Sequence, residues 1–181
     1  MFIGFLGPPM SGKTTIAAKV FAELKERGYP AEFIAERARW FIAKKKYEGT
    51  LVLPLTDQDQ EEIMSSQDEA ETVMSASSDA IVIADSCILN SYFYQSTPRL
   101  RNVVGRYTSR KNLLYFSDVL PIVKETKDPN RVHSIEEARK ISTQMKKFME
   151  GSIYKIRPLA GSVDMRVDQV LRDTYDLYNG G

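Results

Sequence analysis

The chain begins with a short apolar run and then reads Gly7-Pro8-Pro9-Met10-Ser11-Gly12-Lys13-Thr14. This stretch completes the pattern G-x-x-x-x-G-K-[ST], known as the Walker A loop. The apolar residues 2–6 before it predict a strand, and residues 13–26 after it have the pattern of a helix. Strand, glycine loop and helix in this order predict a site where backbone N–H groups and a helix N-terminus bind phosphates.

Each residue of this loop is expected to contact a particular part of the nucleotide or its metal. Lys13 is expected to reach the β- and γ-phosphates of ATP, Thr14 to hold Mg²⁺ through its hydroxyl, and Thr15 to line the α-phosphate. The other loop residues are expected to surround the phosphates with their backbone; they are Gly7, Pro8, Pro9, Met10, Ser11 and Gly12.

Composition limits the classes of protein that this chain can represent. With 181 residues, 43% hydrophobic and 27% charged, it is expected to form one domain with an ordinary globular core. The net charge of +1 does not select nucleic acid or membrane as a partner. The one cysteine, Cys87, excludes a disulfide within the chain and favours a cytoplasmic location. No apolar run approaches the length of about 18 residues that a membrane span needs.

Strand and helix patterns alternate along the chain, which predicts an α/β fold with a five-stranded parallel sheet flanked by helices. The predicted strands are residues 2–6, 31–35, 80–84, 113–116 and 153–156. The predicted helices are residues 13–26, 36–47, 57–77 after the N-cap Thr56, 135–150 after the N-cap Ser134, and 163–178 after the N-cap Ser162. Ligands bind at the carboxyl ends of strands in such sheets, so the residues after each strand are the site candidates.

Two carboxylates follow predicted strands. Asp85 ends the apolar run of residues 80–84, as a Walker B aspartate does, and is expected to hold Mg²⁺ together with Thr14. Glu36 follows the second strand and is expected to act as general base on an acceptor hydroxyl, with Arg39 on the same helix face contacting the acceptor. The sequence leaves open whether Glu36 or Asp85 is the base.

Two further segments are expected to contact the nucleotide. Residues 118–136 are predicted to form a lid in which Arg131 contacts the transferred phosphate, with Arg139 on the helix that follows. Gly161 and Arg166, after the fifth strand, are expected to lie near adenine. An ordinary polar loop and a helix-capping loop are the alternatives for these two segments.

Taken together, these motifs resemble the small P-loop kinases related to the nicotinamide riboside kinase domain of NadR proteins, and the AAA-type ATPase-kinases of phages. The resemblance spans nearly the whole chain. Besides the Walker A loop, it rests on Glu36-x-x-Arg39, on Gln67, on Asp85-Ser86 with a downstream Tyr92 or Tyr94, and on Arg131 with Arg139. It implies the strand order 2-3-1-4-5, ATP and Mg²⁺ as cofactors, and an acceptor site that includes Glu36, Arg39, Gln67 and Ser86.

The leading hypothesis is a kinase that transfers the γ-phosphoryl group of ATP to a hydroxyl of a nucleoside, nucleotide or related metabolite. A second hypothesis replaces this small acceptor with nucleic acid, because residues 99–111 include Arg99, Arg101, Arg106, Arg110 and Lys111. A third is an ATP-hydrolysing switch or motor subunit. The sequence indicates neither the acceptor nor the oligomeric state.

Overall fold

A five-stranded parallel sheet forms the centre of the structure, a computed structural model that describes residues 1–77, 79–93, 112–120 and 133–179. The strands are β1 (Phe2–Leu6), β2 (Ala31–Ile34), β3 (Ile81–Ala84), β4 (Asn112–Ser117) and β5 (Ile156–Leu159). Their order is β2-β3-β1-β4-β5, and all neighbouring pairs are parallel. The predicted fold class is confirmed, and the order is the one that the kinase resemblance implied.

Helices follow the strands as predicted, with ends that differ by one or two residues at most. They are α1 (Lys13–Glu26), α2 (Arg37–Tyr47), α3 (Asp57–Ser77), a 3₁₀ helix (Ile88–Phe93), α4 (Ile135–Glu150) and α5 (Val163–Asn179). Ser134 forms a complete capping box with Glu137 at the start of α4. The hydroxyls of Thr56 and Ser162 each accept a hydrogen bond from the backbone N–H three residues on, so all three predicted N-caps are present.

Two apolar cores cover the two faces of the sheet. Side chains alternate along β1, so Ile3 and Phe5 face the core shared with α1 and α5, while Phe2 and Leu6 face the core shared with α3 and α4. All five residues of β1 are buried, as expected for a central parallel strand. This double cover fixes β1, and with it the loop that follows at residue 7.

The prediction for the fifth strand was wrong by three residues. The strand starts at Ile156 rather than 153, and Ile153 is an exposed residue before it. The strand contains Pro158, which has no N–H to donate to a ladder. β5 tolerates this proline because, within the part of the chain that the structure describes, it is an edge strand that pairs only with β4.

Several predicted features lie outside the described residues: Tyr94, the basic residues of 99–111, and Arg131 with most of the predicted lid. The side chain of Tyr92 also lies outside them. Among the helices that the structure describes, none is long and apolar enough to cross a bilayer.

Candidate active site

The loop between β1 and α1 has the conformation that its glycines permit. Gly12 has φ 79° and Met10 has φ 64°, so the backbone turns through the left-handed region on both sides of Ser11. Gly7 lies so close to β4 that a Cβ on it would be 2.2 Å from the carbonyl oxygen of Ser117. The Lys13 ammonium donates to the carbonyl oxygens of Gly7 and Pro8, each at 2.9 Å. The lysine side chain therefore folds back over the loop that carries it.

A buried arginine supports this loop through hydrogen bonds to its backbone. Arg166 on α5 is only 3% exposed, and its guanidinium donates to the Ser11 carbonyl at 3.2 Å and to the Ser117 hydroxyl at 2.7 Å. It also donates to the carbonyls of Gly161 and Asp118. The Ser117 hydroxyl in turn donates to Ser11 at 2.6 Å. Arg166 thus joins the phosphate loop to the ends of β4 and β5, while contact of Gly161 and Arg166 with adenine stays a prediction.

Asp85 and Thr14 come together at the predicted metal position. The Thr14 side chain is close enough to the Asp85 carboxylate to lower its pKa, although the two residues are far apart in the chain. Asp85 is 2% exposed, and its Oδ1 is buried without a hydrogen-bond partner. Burial raises the pKa of Asp85 to about 6, with Glu36 adding to the rise, while Thr14, Lys13 and Arg39 oppose it. A hydroxyl beside a carboxylate with an unpaired buried oxygen fits Mg²⁺, which prefers hard oxygen ligands.

A cavity of about 760 Å³ opens between the phosphate loop and helices α2 and α3. Its walls hold the loop from Pro9 to Thr15 on one side and Glu36, Arg39 and Gln67 on the other, with Ser86 between them. The volume falls in the range typical of small-molecule sites. The structure therefore brings together, in one cavity, the predicted phosphate loop and the predicted acceptor residues.

Glu36 stands at the N-cap position of α2 but does not cap the helix with its side chain. Its carboxylate instead contributes to the electrostatics of the cavity. Burial lowers the pKa of Lys13 below its ordinary value, although the carboxylates of Glu36 and Asp85 act in the opposite direction. His133, to which the sequence assigned no role, also lines the cavity; burial lowers its pKa, while Glu137 and Glu36 oppose this. The Glu36 carboxylate thus interacts electrostatically with Lys13, Asp85 and His133.

Arg139 lies elsewhere. It is exposed on α4, and it is not among the described residues that line the cavity. Its predicted role in a lid stays a prediction, like that of Arg131.

Two polar residues near the cavity were missed by sequence reasoning. Asn90 accepts a hydrogen bond from the Gly7 N–H at 3.1 Å through its side-chain oxygen. Glu71 is 2% exposed and accepts hydrogen bonds at 2.8 Å from both Gln67 and the Ile88 N–H. For Glu71 the available signal was spacing, because it lies four residues after Gln67 and so on the same face of α3. Asn90 carried no such signal, because Ser86 lies before the start of the 3₁₀ helix.

A phosphate loop after β1, a carboxylate at the end of β3 and the strand order 2-3-1-4-5 define a P-loop NTPase domain, a class that binds nucleotides. The chain belongs to the AAA domain family, whose model matches residues 2–166. The protein is therefore an AAA-type nucleotide-binding domain over nearly its whole length.

Among solved structures, the chain is similar to one titled "Crystal structure of APE1195", with 18% sequence identity and a TM-score of 0.50. The match covers 95% of this chain and 92% of that chain. At this identity the likeness concerns the fold alone. In all, 168 solved chains match, so the fold is too widespread to select an activity. No curated protein matches the chain.

Proposed function

We propose that this protein is an ATP- and Mg²⁺-dependent kinase that phosphorylates a hydroxyl of a nucleoside, nucleotide or related metabolite. The observation that carries the proposal is that Glu36 and Lys13 line the same cavity of about 760 Å³. A hydrolase needs only a water molecule beside the γ-phosphate. A kinase needs a binding site there for the acceptor molecule and a base for its hydroxyl.

The donor side of this reaction belongs to the phosphate loop. Lys13 would exchange its carbonyl partners for the β- and γ-phosphates of ATP and stabilise the charge that develops on them. Thr14 and Asp85 would hold Mg²⁺, which neutralises phosphate charge and orients the γ-phosphoryl group when it is bound.

The acceptor side belongs to α2 and α3. An acceptor hydroxyl donates its proton to the Glu36 carboxylate while its oxygen bonds to the γ-phosphorus, and the bond from that phosphorus to the bridging oxygen breaks to release ADP. Asp85 is the less suitable base because a bound Mg²⁺ would take its carboxylate as a ligand. Arg39 and the α3 face of the cavity would contact the rest of the acceptor.

The apolar part of the cavity wall supports an acceptor with a flat or ring-shaped apolar face. Ile42, Ile63 and the segment Leu53–Leu55 line it beside the polar residues Gln60 and Gln67. The resemblance to the nicotinamide riboside kinase domain of NadR proteins supports the same class of acceptor.

The substitution Glu36→Gln tests the proposal, because it keeps the shape of the side chain and removes the base. ATP consumption and phosphate transfer would be measured with nicotinamide riboside, nucleosides, nucleoside monophosphates, and DNA or RNA with free hydroxyls. We expect a small acceptor to stimulate ADP release in the wild type, and Glu36→Gln to lower this turnover by about 10²–10⁴-fold with ATP affinity unchanged.

The matched control is Glu32→Gln, which makes the same change on an exposed residue of β2. Its turnover should equal that of the wild type. Unchanged turnover in Glu36→Gln would transfer the role of base to Asp85. Stimulation by nucleic acid alone, or hydrolysis that ignores every acceptor, would refute a metabolite kinase in favour of a nucleic-acid kinase or an ATP-driven switch.

A further inference from the structure

Three buried polar side chains that line the cavity, and a fourth that is hydrogen-bonded to one of them, lie next to the turns that end β1, β2 and β3. Gln67 and Glu71 come from α3, while Ser86 and Asn90 follow β3; each is 7% exposed or less. We call these four residues the buried polar cluster. Polar groups at such depth are costly unless they are hydrogen-bonded, so the contacts of this cluster indicate its purpose.

The α3 half of the cluster connects the turn after β2 with the turn after β3. Gln67 accepts a hydrogen bond from the Arg37 N–H at 3.2 Å and donates one to Glu71 at 2.8 Å. The same Glu71 oxygen accepts from the Ile88 N–H at 2.8 Å, at the first residue of the 3₁₀ helix. Because Arg37 follows Glu36 directly, Gln67 fixes the backbone next to the proposed base.

The other half connects the turn after β3 with the phosphate loop. Asn90, in the 3₁₀ helix, accepts from the Gly7 N–H at 3.1 Å and donates to the Ser86 hydroxyl at 2.6 Å. Ser86 follows Asp85 directly. Asn90 therefore holds the first residue of the phosphate loop against the segment that carries the proposed metal ligand.

We propose that the buried polar cluster is a set of positioning residues that keeps Glu36, Asp85 and the phosphate loop in register with one another. The inference rests on the proposed kinase function and changes the role expected for Gln67, from reading the acceptor to acting through Arg37 and Glu36. Gln67 lines the cavity, but its amide oxygen accepts from the Arg37 N–H and its amide nitrogen donates to the buried Glu71. Turning the amide towards a ligand would remove one of the two hydrogen bonds that this Glu71 oxygen accepts from Gln67 and Ile88.

Gln67→Met separates positioning from acceptor reading, because methionine fills a similar volume without hydrogen bonds. If Gln67 positions Glu36, kcat falls about 10–100-fold, acceptor KM changes less than about twofold, and the loss is the same for every accepted substrate. If Gln67 reads the acceptor, KM rises and the preference among acceptors changes, and the proposal is overturned for this residue.

Two further variants accompany this measurement. Glu71→Gln keeps the shape and one acceptor oxygen, so it should fold even where Gln67→Met does not, and it should lower kcat in the same uniform way by a smaller factor. Gln169→Met makes the same chemical change on α5, where the half-buried Gln169 donates to the Pro158 carbonyl at 3.3 Å, and it should match the wild type. Wild-type kcat in Glu71→Gln and Gln67→Met would overturn the proposal.

A binding measurement keeps this test distinct from that of the kinase itself. Asn90→Leu removes the contact with Gly7, so the affinity for fluorescently labelled ADP should fall about tenfold, and Ser86→Ala, a milder change, should cause a smaller loss. This readout needs no acceptor. If the wild type phosphorylates nothing in the acceptor panel but Asn90→Leu weakens ADP binding, the proposed kinase function is refuted and the positioning role of the buried polar cluster is supported. If both variants bind labelled ADP like the wild type, the role assigned to Asn90 and Ser86 is wrong.

Discussion

The substitution Asp85→Asn should make this protein more stable while it disables the proposed metal site. Asparagine keeps the shape of the side chain and an oxygen for the Thr14 hydroxyl, but it carries no charge. Asp85 is 2% exposed, and its charged form is therefore held in the fold at a cost.

The size of this cost follows from the pKa of the carboxyl. A pKa of about 6 in the fold, against the ordinary 3.8, corresponds to about 3 kcal/mol at about 1.4 kcal/mol for each tenfold difference in proton affinity. The sign is that of a raised acid: the folded state binds the proton more tightly, so the free energy of unfolding falls as pH rises from the ordinary pKa to about 6 and is lowest above that. Removing the charge should recover about 3 kcal/mol at pH 8 and about 1 kcal/mol at pH 4.5.

Urea unfolding of the nucleotide-free protein at several pH values would measure this difference. MgATP should then stabilise the wild type above pH 6 more than it stabilises Asp85→Asn, because a carboxylate is what Mg²⁺ binds. The control is Asp118→Asn. Burial acts to raise the pKa of Asp118, but hydrogen bonds from Lys146 and Ser142 bring it below its ordinary value. This variant should therefore destabilise the protein at pH 8, and less so in acid.

Two outcomes would refute the reasoning. If Asp85→Asn were no more stable than the wild type at pH 8, burial would not penalise the charged carboxylate. If the gain were the same at pH 4.5 and pH 8, it would come from something other than the charge.

Two other substitutions test the support of the phosphate loop. Arg166→Ala should lower the free energy of unfolding by about 2–4 kcal/mol, because the Ser117 hydroxyl oxygen loses the guanidinium as a donor and the Ser11 carbonyl loses one of its two donors. Urea unfolding measures this, and a loss under about 0.5 kcal/mol would contradict the role of Arg166 as a support. Gly7→Ala should lower nucleotide affinity at least about 100-fold, since the new Cβ would meet the Ser117 carbonyl at 2.2 Å. Gly28→Ala also has positive φ, but its Cβ meets nothing within 4 Å, so nucleotide titrations of this control should match the wild type.

The sequence predicted the parts of the site that depend on local pattern. The Walker A loop, the capped helices and the apolar strand before Asp85 are short, strong signals. The carboxyl-end rule for parallel sheets placed Glu36 and Asp85 near the loop, where the charge of each acts on Lys13. That rule can be applied from sequence because it requires only the positions where the strands end, and not the conformations of the side chains.

The remaining features depend on contacts between distant residues. Asn90 and Glu71 are ordinary polar residues in sequence, and only the packing of α3 and the 3₁₀ helix against the sheet gives them buried backbone partners. The sequence predicts a nucleotide contact for Arg166, but it does not show that the guanidinium also donates to the Gly161 and Ser11 carbonyls. β5 was misplaced because Pro158 interrupts its pattern, and only the edge position explains why the strand tolerates it.

Pro158 also bears on how this protein behaves at high concentration. A sheet edge with free N–H and C=O groups can recruit a strand from another molecule and so begin aggregation. β5 has only four residues, and one of them has no N–H, so it offers an incoming strand a short and incomplete template. The proline that obscured this strand in the sequence thus helps to keep the sheet from growing beyond one molecule on that side.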